Sequence, residues 1–440
     1  MKYLILLFIL EIILLFMAFY VTGNDIMAPS VIMCIMFSIS TGFTLLNVKK
    51  WNINFSIDAC ILLISGILVF ILAETFFRNL FCNQLCGYKR IVEYHDVVGY
   101  YVATWKLILL LSFNIVVCIL YLQEIINTVG KSATNLSSYF VAYRRIGISS
   151  LSSNRTSGVQ GILRPMLWVV TASGYVSIYI FINNWIAKCG KFYKQILLIC
   201  ILMLSAFSTI MSGGRTGILR LSSSFLITYY IIWHQQHGWA KCLSWKYIKL
   251  GIAGIAIGIP GFYYSLGMLG RTTNETLGDY ASHYLGSSIE LFNQYIANPV
   301  ERISWGEESL FSLKKVLNFL GLGNASVFYN LEFRQCGTSP SNVYTFFRRP
   351  LHDFGIFGMY IFVSLIAFLF AWMYFKKIKY RKKANTVLWV LLYGYLYYWM
   401  VCSSIVQYSV NYISAGTVIT VIIIMCEFKF MTSNRFKIVL

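Results

Sequence analysis

The chain has 440 residues, of which 58% are hydrophobic and 12% are charged. Soluble domains carry about 25% charged residues, so this composition excludes a soluble globular protein and indicates an integral membrane protein. The formal net charge is +20. Because the basic residues lie in short links between apolar runs, membrane topology and attraction to anionic lipid explain this charge better than nucleic-acid binding does.

Eleven apolar runs are long enough to cross a bilayer as helices, which takes about 20 residues. They lie near residues 3–21, 26–46, 57–77, 101–122, 162–182, 195–211, 216–233, 248–267, 354–375, 384–402 and 405–426. We therefore predict an all-α polytopic membrane protein with 11–12 transmembrane helices. The first run lacks a small-residue cleavage site, so we expect it to be retained in the protein.

The side of the membrane follows from the most basic link, KKIKYRKK at residues 376–383. The positive-inside rule predicts that this link is cytoplasmic. Alternation of the spans then puts residues 212–217 and the long loop 268–353 on the opposite, periplasmic side. The same alternation puts Lys49 and Lys50 on that side, against the positive-inside rule. One further span, or a re-entrant stretch within 123–160, would remove the conflict, so the topology of the first 100 residues stays open.

Three parts follow along the chain. We predict an N-terminal transmembrane bundle at 1–267 with an external loop near 123–161, a large periplasmic loop at 268–353, and C-terminal helices with a cytoplasmic tail at 354–440. Apolar residues recur at helical spacing near 281–299. The large loop is therefore expected to be ordered and partly helical.

The first motif, SGGRTG at residues 212–217, separates two apolar runs. Its glycines permit positive φ, and successive N–H groups at a helix start can bind an anion. Arg215 adds a planar fork that suits phosphate oxygens. The alternative is a tight turn whose arginine reaches the lipid headgroups. The external stretch 143–158, YRRIGISSLSSNRTSG, carries a further basic pair that includes Arg145.

The second motif opens the large loop, where LGRTTNETLGDYASHYLG begins just past an apolar run. Arg271 lies at this entrance. Glu275, Asp279 and His283 follow at four-residue intervals, which places them on one face of a helix. Such a face is either solvated or catalytic, and the pattern alone leaves both interpretations open.

The third motif, SNVYTFFRRPLHDFGIFG at residues 341–358, enters the ninth apolar run. Arg348, Arg349, His352 and Asp353 lie within six residues of one another at the membrane edge. Charge there is costly unless it faces protein or water. Asp353 fits two roles, as the favourable negative charge at a helix N-terminus or as a proton acceptor.

Several chemistries lack their motifs. The sequence has no D-x-D pair, no Walker loop and no G-x-S-x-G elbow, which argues against nucleotide-sugar, ATP-driven and serine-hydrolase chemistry. Cys82 and Cys86 are four residues apart, but only His95 is near, so no metal site is predicted. Any donor substrate must carry its own activation.

Taken together, these motifs resemble the Wzy-type O-antigen polymerases. The resemblance rests on S-G-x-R-T-G at 212–217, on Arg271, and on N-V-Y-T-x-F-x-R-P followed by D-F-G-x-x-G at 342–358. The spans themselves are similar only in composition. His352 departs from the pattern, in which a hydrophobic or aromatic residue is expected before the aspartate.

The resemblance implies a glycosyltransferase of the bacterial inner membrane with its active site on the periplasmic face. It transfers the growing glycan from undecaprenyl diphosphate to a new lipid-linked repeat unit, with no cofactor, metal or nucleotide. The expected partners are lipid-linked repeat units, membrane lipid and a chain-length regulator, and no nucleic acid is expected.

Residue roles follow from that chemistry. The expected diphosphate-binding residues are Arg215, Arg271 and Arg349, together with Arg348 and Arg145. Asp353 and His352 are the expected catalytic proton acceptors, ahead of Glu275 and Asp279. Tyr344 and the neighbouring pair Phe346 and Phe347 are expected to stack on sugar rings.

Two alternatives stay open. An O-antigen ligase would use the same donor with lipid A core as the acceptor, and His352 would suit it. A flippase or transporter usually shows internal repeats and broken helices. Glycines and a proline at 251–261 interrupt one span, but no counterpart occurs elsewhere in the sequence.

Overall fold

The computed structural model describes residues 1–84, 97–130, 133, 135–152, 159, 161–214, 216–239, 276–323, 331–337, 339–381, 386–407, 411 and 414–433. The chain forms two compact units. The first unit comprises Met1–Ile91, Glu275–Arg381 and Tyr398–Val418, and the second comprises Val92–Asn274, Lys382–Tyr397 and Ile419–Leu440. Each unit therefore combines early and late segments of the chain.

The first unit contains three N-terminal helices and most of the late elements. These are α1 Lys2–Val21, α2 Pro29–Leu46, α3 Ile57–Gln84, α9 Leu277–Ala297, α10 Phe311–Phe319, β1 Arg334–Cys336, β2 Ser339–Ser341, α11 Arg348–Ala371, a π-helix Trp372–Lys379 and α13 Tyr398–Val401. The two short strands pair antiparallel, with Arg334 opposite Ser341.

The second unit contains the central helices. These are α4 Thr104–Val129, α5 Leu136–Ser152, α6 Leu163–Ile186, α7 Phe192–Met211, α8 Thr216–His237, α12 Val387–Leu396 and the part of α14 Ala415–Thr432 that follows residue 418. Helices α6 and α7 pack along each other, and α8 packs against α6 and α12.

The prediction of a helical multi-pass membrane protein is confirmed. Among the described residues, eight helical segments are long and apolar enough to cross a membrane, and each overlaps one predicted span. Of the other three predicted spans, 216–233 forms α8, and 248–267 lies outside the described residues. The span 384–402 is divided into the short helices α12 and α13.

Gly355 interrupts helix α11. Its φ of 69° and ψ of −172° are not helical, and positive φ is a conformation that glycine adopts at little cost. The residues before the break, 348–354, form a short helical segment ahead of the membrane span. This short segment carries the charged residues of the third motif.

The link between α2 and α3 lies beside α9. Lys50 forms an ion pair of 2.6 Å with Asp279, and the Trp51 ring packs edge-on to His283 at 6.3 Å. Lys50 therefore lies on the same side of the first unit as the start of α9. The alternation of spans predicts this placement, although the positive-inside rule argues against it.

Helix α9 lies within the predicted large loop, which is therefore helical in part. It packs closely on α2, where a Cβ added at Gly286 would lie 2.9 Å from the backbone nitrogen of Thr44. The Thr44 hydroxyl donates a 2.8 Å hydrogen bond to the Gly286 carbonyl. Small residues permit such close helix approach in membranes, so α9 is an integral part of the first unit.

Candidate functional site

The charged residues of the third motif are buried within the first unit. Arg348 and Asp353 have no exposed surface, and Arg349 and His352 are also buried. Burying a charge is costly unless it is paired and hydrogen-bonded. The partners come from the preceding loop, at residues 302–309 and 332. We call the set Glu307, Glu308, Glu332, Arg348, His352 and Asp353 the buried ionic cluster.

Arg348 lies at the centre of this cluster. Its Nη1 is 2.5 Å from Glu308 Oε2, and its Nη2 is 2.7 Å from Glu332 Oε2. The guanidinium also lies over the ring of Tyr295 at 4.2 Å and over that of Tyr344 at 5.3 Å. Two carboxylates and two aromatic faces therefore surround the cation, an arrangement that compensates it in a water-poor site.

Asp353 anchors the loop through its backbone. Its carboxylate accepts the N–H groups of Glu308 at 3.3 Å and Ser309 at 2.5 Å. Its own carbonyl accepts a 2.9 Å hydrogen bond from Arg302 Nη1. The N-cap of α11 is Phe347, and both carboxylate oxygens of Asp353 bond the loop rather than α11. Asp353 ties residues 302–309 to the start of α11.

His352 uses both ring nitrogens within the cluster. Nε2 is 2.9 Å from Glu307 Oε1, and Nδ1 is 3.2 Å from the Tyr295 hydroxyl. Glu307 Oε2 accepts the N–H of Ser304 at 2.8 Å. A chain of polar contacts thus joins Tyr295 of α9, His352 of α11 and the loop at residue 304, and it can hold or pass a proton between these groups.

The glutamates of the cluster differ in acidity. Burial raises the pKa of Glu307, but hydrogen bonds from His352 and from two backbone N–H groups outweigh it, so this pKa lies below the ordinary value. Burial also raises the pKa of Glu332, but the positive charge of Arg348 and its hydrogen bond to Glu332 outweigh burial, so this pKa too lies below the ordinary value. At Glu308 burial is the largest cause and the pKa is raised despite the nearby arginines.

Sequence reasoning assigned no role to these three glutamates. They precede Arg348 by 41, 40 and 16 residues, and no periodicity connects a loop to a helix over such distances. The sequence does contain one signal for this pairing. The large loop holds half of the sixteen acidic residues of the chain, and the third motif is basic, so ion pairs between the two could have been expected.

The aromatic residues of the third motif are enclosed by protein. Tyr344, Phe346 and Phe347 are all buried. The Tyr344 hydroxyl donates to the Glu332 carbonyl at 3.3 Å. The Phe347 ring lies 5.3 Å from the ring of Phe37. In this arrangement the three rings pack against the first unit, and their predicted stacking on sugars stays a prediction.

The first motif lies in the second unit. Gly213 has a φ of +70°, the conformation that glycine permits. The Gly213 carbonyl accepts a 2.5 Å hydrogen bond from Arg144 Nη1 of α5. The basic pair of α5 therefore reaches the turn through Arg144, whereas the neighbouring Arg145, the residue singled out from the sequence, is exposed. Arg215, Arg271 and Glu275 lie outside the described residues.

Helix ends of the second unit meet around this turn. Tyr121 and Ile125 of α4, Phe140 of α5 and Met211 of α7 form one apolar cluster, against which Leu163 of α6 packs. Helix α8 starts directly after the turn. The C-terminal ends of α4 and α7, the start of α6 and the start of α8 therefore lie at one end of this unit, together with α5.

The described arginines and the described lysines of the second unit lie toward different ends of it. Among its described residues, every arginine lies in α5 or in the first two turns of α6 or α8: Arg144, Arg145, Arg164 and Arg220. Every described lysine lies toward the other end: Lys106, Lys188, Lys191, Lys194 and Lys429. Lys106 bonds the carbonyls of Phe430 and Ser433 at the end of α14. We call the first group the arginine end and the second the lysine end.

The chemistry of the two ends differs. Arginine presents a planar fork that matches phosphate oxygens in pairs, whereas lysine is a compact and strongly hydrated point charge. The positive-inside rule counts both residue types alike. Topology therefore does not account for the sorting of arginine from lysine among the described residues of this unit, and the arginine end is a candidate site for a phosphate-bearing ligand.

Metal chemistry has no candidate ligand set in the part of the chain that the structure describes, where no group of three or more His, Cys, Asp or Glu side chains converges. Comparison of the chain with models of protein families, with curated proteins and with solved structures found no match.

Proposed function

We propose that the chain is a membrane glycosyltransferase of the O-antigen polymerase type. It transfers a growing glycan from undecaprenyl diphosphate to a new lipid-linked repeat unit on the periplasmic face of the bacterial inner membrane. The observation that carries the proposal is the arginine end of the second unit, where α5 is hydrogen-bonded to the glycine turn that precedes Arg215.

The reaction needs a strong anion-binding site. The bond between the anomeric carbon and the diphosphate oxygen breaks, a bond to the acceptor hydroxyl forms, and the hydroxyl proton passes to a base. Negative charge develops on the departing lipid diphosphate. Arginines fixed in advance stabilise this charge better than water, which must reorganise. Each charged hydrogen bond contributes about 1.5–3 kcal/mol, so a few arginines supply much of the catalysis.

The buried ionic cluster supports the proposal in a different way. It fixes residues 302–309 and 332 to the start of α11 through paired charges and backbone hydrogen bonds. A loop that carries acceptor-binding groups must be held rigidly, because small displacements of reacting groups are costly in rate. We assign Arg348 a positioning role and keep Asp353 and His352 as the proposed proton acceptors.

Asp353→Asn separates the two roles of Asp353. The amide oxygen can still accept a backbone N–H from Glu308 or Ser309, but it cannot take a proton at neutral pH. Loss of glycan polymer in a variant that is folded and inserted supports Asp353 as the base. Normal polymer would remove Asp353 from that role and leave it as an anchor of the loop.

The imidazole of His352, held between Glu307 and Tyr295, favours one alternative, an O-antigen ligase that uses lipid A core as the acceptor. The lipopolysaccharide of a deletion strain distinguishes the two enzymes. A strain that lacks a polymerase attaches single repeat units to lipid A core, whereas a strain that lacks a ligase attaches none. Single repeats are the outcome that the proposal predicts.

Arginine variants test the site itself. Arg215→Ala and Arg271→Ala are expected to abolish long glycan chains while the protein still inserts in the membrane. Arg→Lys at either position should restore polymer only in part, because a point charge lacks the fork. Lys191→Ala, an exposed change at the lysine end, is the matched control. Normal chain lengths in both alanine variants would overturn the arginine assignment.

A further inference from the structure

Residues 303–322 of the first unit carry exposed apolar side chains on both sides of α10. Ile303 and Trp305 precede the helix and are 70% and 64% exposed, and Phe319 and Leu322 at its end are 89% and 73% exposed. Leu320 is exposed as well. Single exposed apolar residues are ordinary, but a group of large ones marks an interaction surface. We call these five residues the α10 apolar patch.

The start of the patch is tethered to the beginning of a membrane span. Arg302 donates to the Asp353 carbonyl at 2.9 Å, and the Trp305 ring lies 4.9 Å from the Phe354 ring. Residues 302–305 are therefore held at the level where α11 passes Gly355. Lys314 of α10 donates a 3.1 Å hydrogen bond to the Ser304 hydroxyl, so the helix stays close to this level.

Below Phe354, α11 exposes a continuous apolar stripe. Phe357, Ile361 and Leu365 are large, exposed and spaced by four residues, and Phe368 continues them by one further turn. In a membrane span such a stripe faces lipid tails. The Trp305 ring packs on Phe354, close ahead of this stripe, so the start of the α10 apolar patch adjoins a lipid-facing surface.

Charge and residue type fit the edge of a bilayer. Tryptophan is enriched at membrane–water interfaces. Lys314 and Lys315 lie in the same short helix, and Lys315 is exposed, so a cation is available to anionic headgroups. The glutamates of this segment, Glu307 and Glu308, are buried in the ionic cluster and do not oppose such contact.

We propose that residues 303–322 form an interfacial membrane anchor, with the α10 apolar patch inserted into the boundary between headgroups and acyl chains on the side of the membrane where α11 begins. This anchor fastens the large loop to the bilayer surface next to the buried ionic cluster. The inference is independent of the proposed enzymatic activity, since it uses only the exposure and the tethering of this segment.

The test uses the full chain in nanodiscs of phosphatidylcholine and phosphatidylglycerol in equal parts. An environment-sensitive fluorescent amino acid replaces Phe319, and lipids with a nitroxide high on the acyl chain act as the quencher. Blue-shifted emission that loses most of its intensity to the nitroxide lipid is expected. The same amino acid at Gln335, an exposed polar position of the same loop, should show water-like emission and little quenching.

Two results would overturn the proposal. Water-like, unquenched emission at both positions would mean that the patch faces solvent, and blue-shifted emission at 319 without lipid quenching would mean that protein covers it. A second arm uses Lys315→Gln in the Phe319-labelled chain. Quenching should fall in nanodiscs that contain phosphatidylglycerol and stay unchanged in pure phosphatidylcholine. An equal effect in both lipids would contradict an electrostatic contribution of Lys315 to membrane binding.

Discussion

The guanidinium of Arg348 lies 2.5 Å from the carboxylate of Glu308, and Arg348 has no exposed surface. The pair joins the loop ahead of α10 to the first turn of α11. Because Arg348 also contacts Glu332 at 2.7 Å, one cation compensates two carboxylates. Removing it leaves both without their main partner in a water-poor site, and such a site tolerates unpaired charge poorly.

We predict that Arg348→Ala lowers the free energy of unfolding by about 3–5 kcal/mol, the range found when one partner of a buried ion pair is removed. Thermal unfolding of the purified protein in detergent, followed by intrinsic fluorescence, measures the change. Arg145→Ala is the control, because this side chain is exposed and its loss should change stability by less than about 0.5 kcal/mol. Equal midpoints for both variants would contradict a structural role for the pair.

Glu307 and Glu308 should affect the pH dependence of stability in opposite directions. The pKa of Glu307 lies below its ordinary value of 4.5, so its ionised form stabilises the fold above pH 4.5, and this contribution declines as the pH falls through the folded-state pKa. The pKa of Glu308 lies above 4.5, so ionised Glu308 destabilises the fold, and this cost appears as the pH rises from 4.5 through its folded-state pKa.

Unfolding midpoints of the wild type, Glu307→Gln and Glu308→Gln from about pH 2.5 to about pH 8 measure both effects. The stability advantage of the wild type over Glu307→Gln should shrink toward acid pH. The stability of the wild type relative to Glu308→Gln should fall as the pH rises. Parallel pH profiles for the two variants would show that the glutamates do not differ in this way.

Gly213 and Gly214 form a matched pair within the first motif. A Cβ at Gly213 would lie 2.8 Å from the Phe140 carbonyl oxygen, at a φ of +70°. At Gly214 the nearest atom would be the Ser212 hydroxyl at 3.4 Å. Gly213→Ala is therefore expected to cost about 1–3 kcal/mol of backbone strain and to displace α5 from the turn.

The measurement is the length distribution of the glycan in cells that produce each variant at equal level. Gly213→Ala should shorten the chains, and Gly214→Ala should leave them near normal. The reverse order, or equal chain lengths, would argue against a role for the contact between Arg144 and the turn.

Two glycines of α9 provide a second matched comparison. Gly286→Ala places a methyl group 2.9 Å from the Thr44 backbone nitrogen, whereas at Gly278 the nearest atom is 4.0 Å away. Overpacking of this kind costs about 1–3 kcal/mol, while alanine at an exposed helix position stabilises by up to about 1 kcal/mol. Thermal unfolding should therefore show opposite signs for the two variants. A stabilising effect of Gly286→Ala would mean that α2 and α9 pack less closely.

The sequence predicts the membrane helices well because a span needs a continuous apolar run, which is a local property. All eight helical segments among the described residues that are both long and apolar enough to cross a membrane overlap predicted spans. The prediction is less accurate where polar residues interrupt the run. The last predicted span, 405–426, becomes α14 at Ala415–Thr432, since the described residues between 402 and 414 do not continue a helix.

The contacts of the buried ionic cluster are harder to predict from the sequence. The third motif groups Arg348, Arg349, His352 and Asp353 because they are adjacent in the chain, and all four are buried. Their carboxylate partners could not be chosen among the seven other loop acids, because pairing between residues far apart in the chain depends on how the loop folds back. The sequence also does not distinguish Arg144 from Arg145, because the two are adjacent. Only the orientation of α5 shows that Arg144 contacts the turn and that Arg145 is exposed.

The most direct test of the proposed function is polymerisation by the purified full chain in liposomes supplied only with undecaprenyl-diphosphate-linked repeat units. The products are released from the lipid and separated by size, with no nucleotide added. The wild type should give a ladder of glycans longer than one repeat, and the Arg215→Ala variant should give single repeats. A wild-type reaction that leaves only single repeats, under conditions where the protein is folded, would contradict the assignment as a polymerase.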